Sequence, residues 1–519
     1  MGETTMERGY DFKDLFIFDL ANNHQGDVQH GIRIIKEVGE VANKEGIRGA
    51  LKFQFRQLET FIHAEHKNSS DNKHIPRFLS TRLSKKEFEI LTEEVEKKSL
   101  ISICTPFDEE SVDIIIGMGI KILKVASCSA KDWPLLEKIA ESGKPVIFST
   151  GGLVLKDIDN LVSFFDHRGV EYAIMHCVSI YPIPDINFNL NQIEMLRNRY
   201  PNRLVGWSTH EDPNELSAVQ IAVAKGASLY ERHVGIATEK IKLNSYSSTP
   251  EQIMNWIKTY KKAKILCGST QRPEPATQEI ESINSLNRGI YAKMQIKPGE
   301  NISRDQIYFA MPYTEGQLIS GKWKEGIVSL ENIEKDTPLL IQQIQYPPEP
   351  ARLVIQRAIH EVKALLNEAR VPLNSEFTIE YSHHYGMENF RDTGAALIGC
   401  INRTYCKKII VQLPNQKHPS HYHKRKEETF QVLHGVLNVE IDGFYRIMYP
   451  GETLVVLPGV WHGFWTDTGV VFEEISTTHY NDDSVYKDKT INKMARFQRK
   501  TVVDHWGRFQ LVAEDDTGK

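Results

Sequence analysis

A chain of 519 residues is long enough for about three domains, although a single α/β barrel absorbs about 250. With 40% hydrophobic and 25% charged residues and a formal net charge of −5, it shows no global pull toward nucleic acid or an anionic membrane. The six cysteines form no CxxC, the start "MGETTMERGYDFKDL" lacks a signal-peptide core, and no apolar run reaches about 18 residues. The expectation is a cytoplasmic protein with reduced thiols and no membrane span.

From residue 15 to about 270, short apolar β-rich runs alternate with stretches of helical period. The predicted strands are LFIFDLA (15–21), GALKFQF (49–55), LISICTP (100–106), KILKVAS (121–127), PVIFST (145–150), EYAIMHC (171–177), RLVGWS (203–208) and ASLYERHV (227–234). Amphipathic segments lie between them. In PNELSAVQIAVAKG, Pro213 is expected at the first helical position and Gly226 just past the end. Eight such units predict a (β/α)8 TIM barrel over residues 1–270, with a doubly wound open sheet as the competing arrangement.

STQRPEPATQE (269–279) reads as a turn-rich linker. Residues 283–345 then show short strands broken by Pro-Gly and Asn/Asp turns, as expected of a small β-rich module. After a second linker, YPPEPAR (346–352), an amphipathic helix and a run of short strands fill a third domain, 352–505. The last twenty or so residues, ending VAEDDTGK, read as frayed.

Barrel chemistry comes from the C-terminal ends of strands. Here those ends carry Asp19 with Asn22, Asn23 and His24; Lys52 and Gln54; Thr105; Lys124 and Ser127; Ser149; His176; Ser208 and His210; and Arg232 and His233. Lysines, hydroxyls and helix-start amides suit a phosphorylated anion. His210 and His233 end the seventh and eighth strands, which are neighbours in a closed barrel. Two readings stand: a pair of ligands for Mn2+, Fe2+ or Zn2+, or two hydrogen-bonded histidines in a polar pocket.

The ordered motifs FDLANNHQGD, LKFQ, TPFD, KVASCSAKDWPLL, IFSTGG, HCVSIYP, GWSTHE and ERHV resemble the barrel of the sialic acid (nonulosonate) synthases. SLNRGIYAKMQIKPGENIS resembles that family's antifreeze-like (SAF) domain, and together the likeness spans about 12–345. It implies condensation of phosphoenolpyruvate with an open-chain amino-sugar aldehyde, giving a 3-deoxy-2-keto acid and phosphate. It also implies a homodimer; the charge balance, for its part, leads to no expectation of a nucleic-acid or membrane partner. His210 and His233 would hold the metal, Mn2+ in this family. Lys52, Thr105, Lys124, Ser127, Ser149 and Ser208 would bind phosphoenolpyruvate, Gln54 would belong to the substrate-binding set, Tyr181 would face the sugar, and Asp19 would serve the chemistry.

Four positions depart from the family pattern. Asp19 stands for a glutamate, Ser127-Cys128-Ser129 for Ser-Gly-Glu, Ser179 for an asparagine, and Met311 for the antifreeze-like domain's arginine. The phosphoenolpyruvate half is kept and the sugar half altered, which implies a different acceptor aldehyde.

Near the C-terminus, HPSHYHKRKEETFQVLHG (418–435) places His421 and His423 on one side of a strand, with Glu428 five residues on. GETLVVLPGVWHGFW adds His462 behind a Pro-Gly turn. This pattern resembles the two cupin motifs, whose three histidines and one glutamate bind a divalent metal in a small β-barrel; Mn2+, Zn2+, Fe2+ and Ni2+ all fit. The plainer reading is residues lining a polar cavity. HYHKRKEETF and EEISTTHYNDDSVYKD are similar to cupin sugar isomerases of the lyxose isomerase type. In that case Lys426 and Glu474 are candidates for proton handling, against a solvated charge at Lys426. His383 and His384 read as structural or surface residues.

Three assignments follow: a condensing barrel whose cupin prepares or selects the sugar; a barrel with a non-catalytic sugar-sensing cupin; or a degenerate barrel beside an active cupin isomerase.

Overall fold

The computed structural model describes residues 10–67, 71–208, 210–270, 272–375, 377–504 and 506. The chain divides into two compact units, 1–274 and 275–519.

In the first unit, eight parallel strands close into a barrel in the order β1 to β8. They are β1 (Leu15–Asp19), β2 (Arg48–Phe55), β3 (Ile101–Pro106), β4 (Ile122–Val125), β5 (Val146–Ser149), β6 (Tyr172–Cys177), β7 (Val205–Ser208) and β8 (Leu229–His233). Each falls within or one residue outside its predicted run, and β8 pairs back to β1 through Asp19 opposite His233. Closure rules out the open sheet.

The helices follow from local signals. Val28–Lys44 starts where the Asp27 carboxylate accepts from the amides of Gln29 and His30. Pro250–Cys267 starts at a Thr249–Gln252 capping box with proline in its first turn. Their inner faces pack on the barrel's outer surface in one large apolar core, which includes Phe16, Phe148, Trp207 and Trp256.

One helix start departs from expectation. The segment at 213–226 becomes helical only at Ser217–Ala224, so Pro213 precedes the helix and its carbonyl accepts from Arg232 instead. Gly226 does lie past the end, with φ +84°.

The second unit opens with Thr277–Leu286, a helix that begins inside the stretch read as linker. Residues 289–345 form a small module of two ladders, β9 (Gly289–Ala292) with β10 (Ile307–Ala310) and β11 (Val328–Ser329) with β12 (Ile344–Gln345). It has its own apolar core around Ile290, Ile296, Ile327 and Leu339. Met311 follows β10 with 54% of its surface exposed.

After the helix Ala351–Glu368 comes a cupin-like pair of antiparallel sheets. Its strands are β13 (Thr378–Ser382), β14 (Ala395–Asn402), β15 (Tyr405–Gln412), β16 (Lys417–His423), β17 (Glu428–Gly435), β18 (Leu437–Ile441), β19 (Phe444–Met448), β20 (Thr453–Val456), β21 (His462–Trp465), β22 (Val470–Thr477), β23 (Ser484–Tyr486) and β24 (Lys500–Asp504). The larger sheet runs β20-β17-β22-β15-β14-β13-β24 and the smaller β19-β18-β21-β16-β23. Phe430, Phe464 and Phe472 pack edge-to-face between them. Lys500–Asp504 pairs with β13, so the chain stays ordered further than the frayed tail expected; 507–519 lie outside the described residues.

Candidate active site and metal centre

The barrel interior changes character along each strand. Its deeper layers are apolar, with Ile17, Ala50, Ile103, Ile122, Ile147 and Leu229 in one buried cluster. Two residues on, the same inward faces carry Asp19, Lys52, Thr105, Lys124, Ser149 and Glu231, and β8 adds His233 two further. Burial of all of these leaves their charges to be satisfied by one another.

They are satisfied as a row. Lys52 Nζ lies 2.9 Å from Asp19 Oδ2 and 3.1 Å from Glu231 Oε1. Lys124 Nζ lies 3.3 Å from Glu231 Oε2 and donates to Ser149 Oγ at 2.6 Å. Burial pushes the Lys52 ammonium down, but Asp19 and Glu231 outweigh it and hold it above the usual lysine range. Burial pushes Glu231 up, and Lys124 and Lys52 more than reverse that, to about 2. Gln54 Nε2 reaches Asp19 at 3.5 Å.

Two features fit an incoming oxyanion. Thr105 Oγ1 is buried with no hydrogen-bond partner. The Gly151 amide donates to Ser127 Oγ at 3.1 Å, and a Cβ there would fall 2.3 Å from Ser179 Oγ and 2.7 Å from Ser127 Oγ. A side chain at 151 would displace these hydroxyls, so glycine keeps both of them close to the backbone. Ser208 is buried opposite Glu231 in the β7–β8 register.

His210 and His233 meet beside this row, ring centroids 5.4 Å apart, with His233 Nε2 3.4 Å from Asp19 Oδ2. His210 Nδ1 faces the Val178 carbonyl at 3.1 Å, which leaves Nε2 free of that contact to serve as the ligand atom. Burial, reinforced by His233, lowers His210 to about 3, so the imidazole is neutral and able to act as a ligand. Tyr181 packs on His210 at 4.1 Å and is half exposed.

Other strand-end candidates point away. His176 Nε2 donates to the Phe188 carbonyl at 2.8 Å, in the segment that follows β6. Arg232 pairs with Glu211 and lies over Trp256 on the helix side. Glu231, which faces inward between Lys52 and Lys124, was not among the expected site residues, although counting by two from His233 along β8 reaches it.

In the cupin, β16 and β21 of the smaller sheet supply His421, His423 and His462, and β17 of the larger supplies Glu428. One potential ligand atom from each lies within 4.8 Å of all the others, and all four residues are buried. Hydrogen bonds orient the rings. His421 Nδ1 is 3.0 Å from the Pro419 carbonyl, His462 Nδ1 is 3.0 Å from that of Val460, and Ser484 Oγ is 3.3 Å from His423 Nδ1. Nε2 of each ring is thereby left for the centre. His462 Nε2 and Glu428 Oε1 are 2.8 Å apart, yet neither makes a sound hydrogen bond, so a divalent cation fits this donor set.

Lys426 is buried, which removes the solvated-charge reading. Its Nζ lies 2.5 Å from Glu428 Oε2 and 2.9 Å from Glu474 Oε1, and Lys408 Nζ reaches Glu474 at 3.3 Å and His479 Nδ1 at 3.2 Å. Burial raises Glu474, and Lys408 and Lys426 override it, to about 2. The row continues into a cavity of about 670 Å3 whose lining includes Lys408, His479, Glu380 and Arg496. Lys408 and His479 were not among the expected site residues. His384 is structural: fully buried, it faces His418 at 3.1 Å between ring nitrogens.

A closed parallel barrel with charged strand ends is thus followed by a cupin-like domain with a three-histidine, one-glutamate cluster. Residues 40–272 match the NeuB family and 409–473 the cupin domain. An uncharacterized protein of Methanocaldococcus jannaschii is 34% identical over 293 residues, 56% of this chain and 82% of that protein. The N,N'-diacetyllegionaminic acid synthase of Legionella pneumophila is 26% identical over 321 residues, 59% and 88% of the two chains. A crystal structure of a Chromobacterium violaceum protein assigned as spore coat polysaccharide biosynthesis protein E is 41% identical, with a TM-score of 0.62, and covers 64% of this chain and 100% of that one. The chain belongs to the NeuB family and carries a cupin domain behind the barrel.

Proposed function

We propose that the barrel condenses phosphoenolpyruvate with the open-chain form of an aldose, giving a sialic-acid-like 3-deoxy-2-keto acid and phosphate. The observation that carries this is the buried row Asp19–Lys52–Glu231–Lys124–Ser149 beside His210 and His233. Lys52, kept cationic by its two carboxylates, meets the anion with Lys124. Thr105, Ser127, Ser149, Ser208 and the Gly151 amide complete its hydrogen bonds, and Gln54 holds Asp19 in place. Tyr181 bounds the sugar side. His210 and His233 would hold a divalent metal, which would supply polarisation of the acceptor carbonyl. Asp19, shorter than glutamate and tied to Lys52, orients rather than transfers a proton.

The names of relatives support the same class, since they include legionaminic acid and N-acetylneuraminate-9-phosphate synthases. The test is phosphate release from phosphoenolpyruvate with Mn2+ across aldoses with and without N-acetyl groups, with the product identified by mass. A 3-deoxy-2-keto acid is expected. No release with any aldose, metal shown bound, refutes the reading. By family likeness the chain works as a homodimer whose residues 283–345 form the antifreeze-like domain.

For the cupin, the Lys408–Glu474–Lys426 row leading from a cavity to the ligand cluster favours a sugar-binding metal site. Isomerisation between aldose and ketose needs an acid and a base near neutrality. Glu474 at about 2 and a strongly protonated Lys426 meet that only when a bound ligand separates them. A sensing cupin needs no such separation.

A further inference from the structure

The inward alternation of β2 does not stop at Gln54. Arg56, one residue past the strand, continues the face of Lys52 and Gln54, about 13 Å beyond Lys52 at about 3.3 Å per residue. Its guanidinium is held between two rings, 3.6 Å from the centroid of Phe107 and 4.1 Å from that of Phe78. Arg56 Nη2 donates to Gln54 Oε1 at 3.2 Å, and Gln54 leads through Asp19 to His233.

Among the described residues the one hydrogen-bond acceptor recorded for the Arg56 guanidinium is the neutral Gln54 amide, and its buried Nε has no hydrogen-bond partner. The neighbouring acids are engaged. Asp108 accepts from the amides of Gln57 and Ser111 and from Ser111 Oγ, capping the helix Glu109–Gly117, and Asp19 holds Lys52. The turn after β4 reads Ser127-Cys128-Ser129, with no acidic group. A partly desolvated guanidinium without an anion is costly, and its planar fork with an open donor suits a carboxylate or phosphate.

We propose that Arg56 reads an anionic substituent on the acceptor sugar, so that the barrel prefers an aldose bearing a carboxylate or a phosphate ester over its neutral counterpart. This rests on the condensation reading above. Phosphoenolpyruvate occupies the lysine row deeper in the barrel, and Arg56 meets the far end of the acceptor. The flanking phenylalanines fix the guanidinium plane and limit its hydration.

The test uses the full chain with Mn2+ and saturating phosphoenolpyruvate, and matched acceptors: hexoses and N-acetylhexosamines, their 6-phosphates, and the corresponding hexuronates. The wild type is expected to favour one charged set, and which set it favours separates phosphate from carboxylate. Arg56→Gln should raise KM for that acceptor roughly 10- to 100-fold, the worth of one charge-assisted contact. It should collapse the charged-to-neutral ratio while leaving KM for phosphoenolpyruvate in place, and Arg56→Lys should restore part of the ratio. Neutral acceptors used as well as charged ones, or an Arg56→Gln ratio equal to the wild type's, would overturn the proposal. If no acceptor at all releases phosphate, the condensation reading fails instead. Equilibrium dialysis of labelled hexose 6-phosphates and hexuronates then decides the Arg56 proposal: it stands if Arg56→Gln loses binding and falls if wild type and variant bind alike.

Discussion

At the scale of single residues, the barrel site depends on where each inward side chain falls relative to the boundary between apolar and charged layers. His24, just beyond β1, illustrates the cost of burying a titratable group. Its Nδ1 accepts the Gly26 amide at 3.1 Å, and burial, aided by His30, lowers it from 6.5 to about 4. The folded state therefore prefers neutral His24. The associated stability is present above pH 6.5 and is lost as pH falls from 6.5 toward 4. At pH 5 the loss amounts to about 2 kcal/mol. Urea unfolding from pH 7 to pH 5 should show this decline in the wild type and a shallower one in His24→Gln; parallel curves would contradict the assignment. The same scale explains why Lys426 was ambiguous in the sequence. A lysine in the run HKRKEE looks solvated, and only the strand turn from β16 to β17 folds it inward onto Glu428 and Glu474.

At the scale of elements, strands were easier to read than helix starts. Each barrel strand is a short apolar run bounded by turn residues, a signal contained in a few neighbours. Helix boundaries depend on caps that proline and glycine only suggest. Pro213 serves as an acceptor for Arg232 rather than a first helical residue, and Thr277–Leu286 emerged from a stretch rich in turn formers. The loop after β5 carries a sharper prediction. Gly151→Ala places a methyl group between Ser127 and Ser179, so both hydroxyls must move. Phosphoenolpyruvate KM should rise at least tenfold, while far-ultraviolet circular dichroism stays native. An unchanged KM would mean that this loop does not touch the anion.

At the scale of the whole molecule, the two sites draw on separate units and separate ligand sets. We expect two divalent ions per chain. His421→Ala should remove one of them without reducing phosphate release from phosphoenolpyruvate in the presence of a ready-made acceptor. His210→Ala should remove the other and abolish that release. Elemental analysis with turnover measured on the same samples checks both, and loss of condensation in His421→Ala would show that the cupin serves the barrel's reaction directly.

The sequence by itself determined the repeating strand–helix rhythm, the strand ends that carry polar chemistry, and the His-x-His and Pro-Gly-x2-His spacings, because each is set by neighbours along the chain. Tertiary structure alone decided which of those residues meet. Barrel closure brought Glu231 between Lys52 and Lys124, and turned Arg232 and His176 outward. Sheet pairing carried Glu428 across to three histidines of the opposite sheet and lined Lys408 and His479 behind them. These juxtapositions depend on register and on which face is buried, and a one-residue change in either would invert every side chain without altering a single local signal.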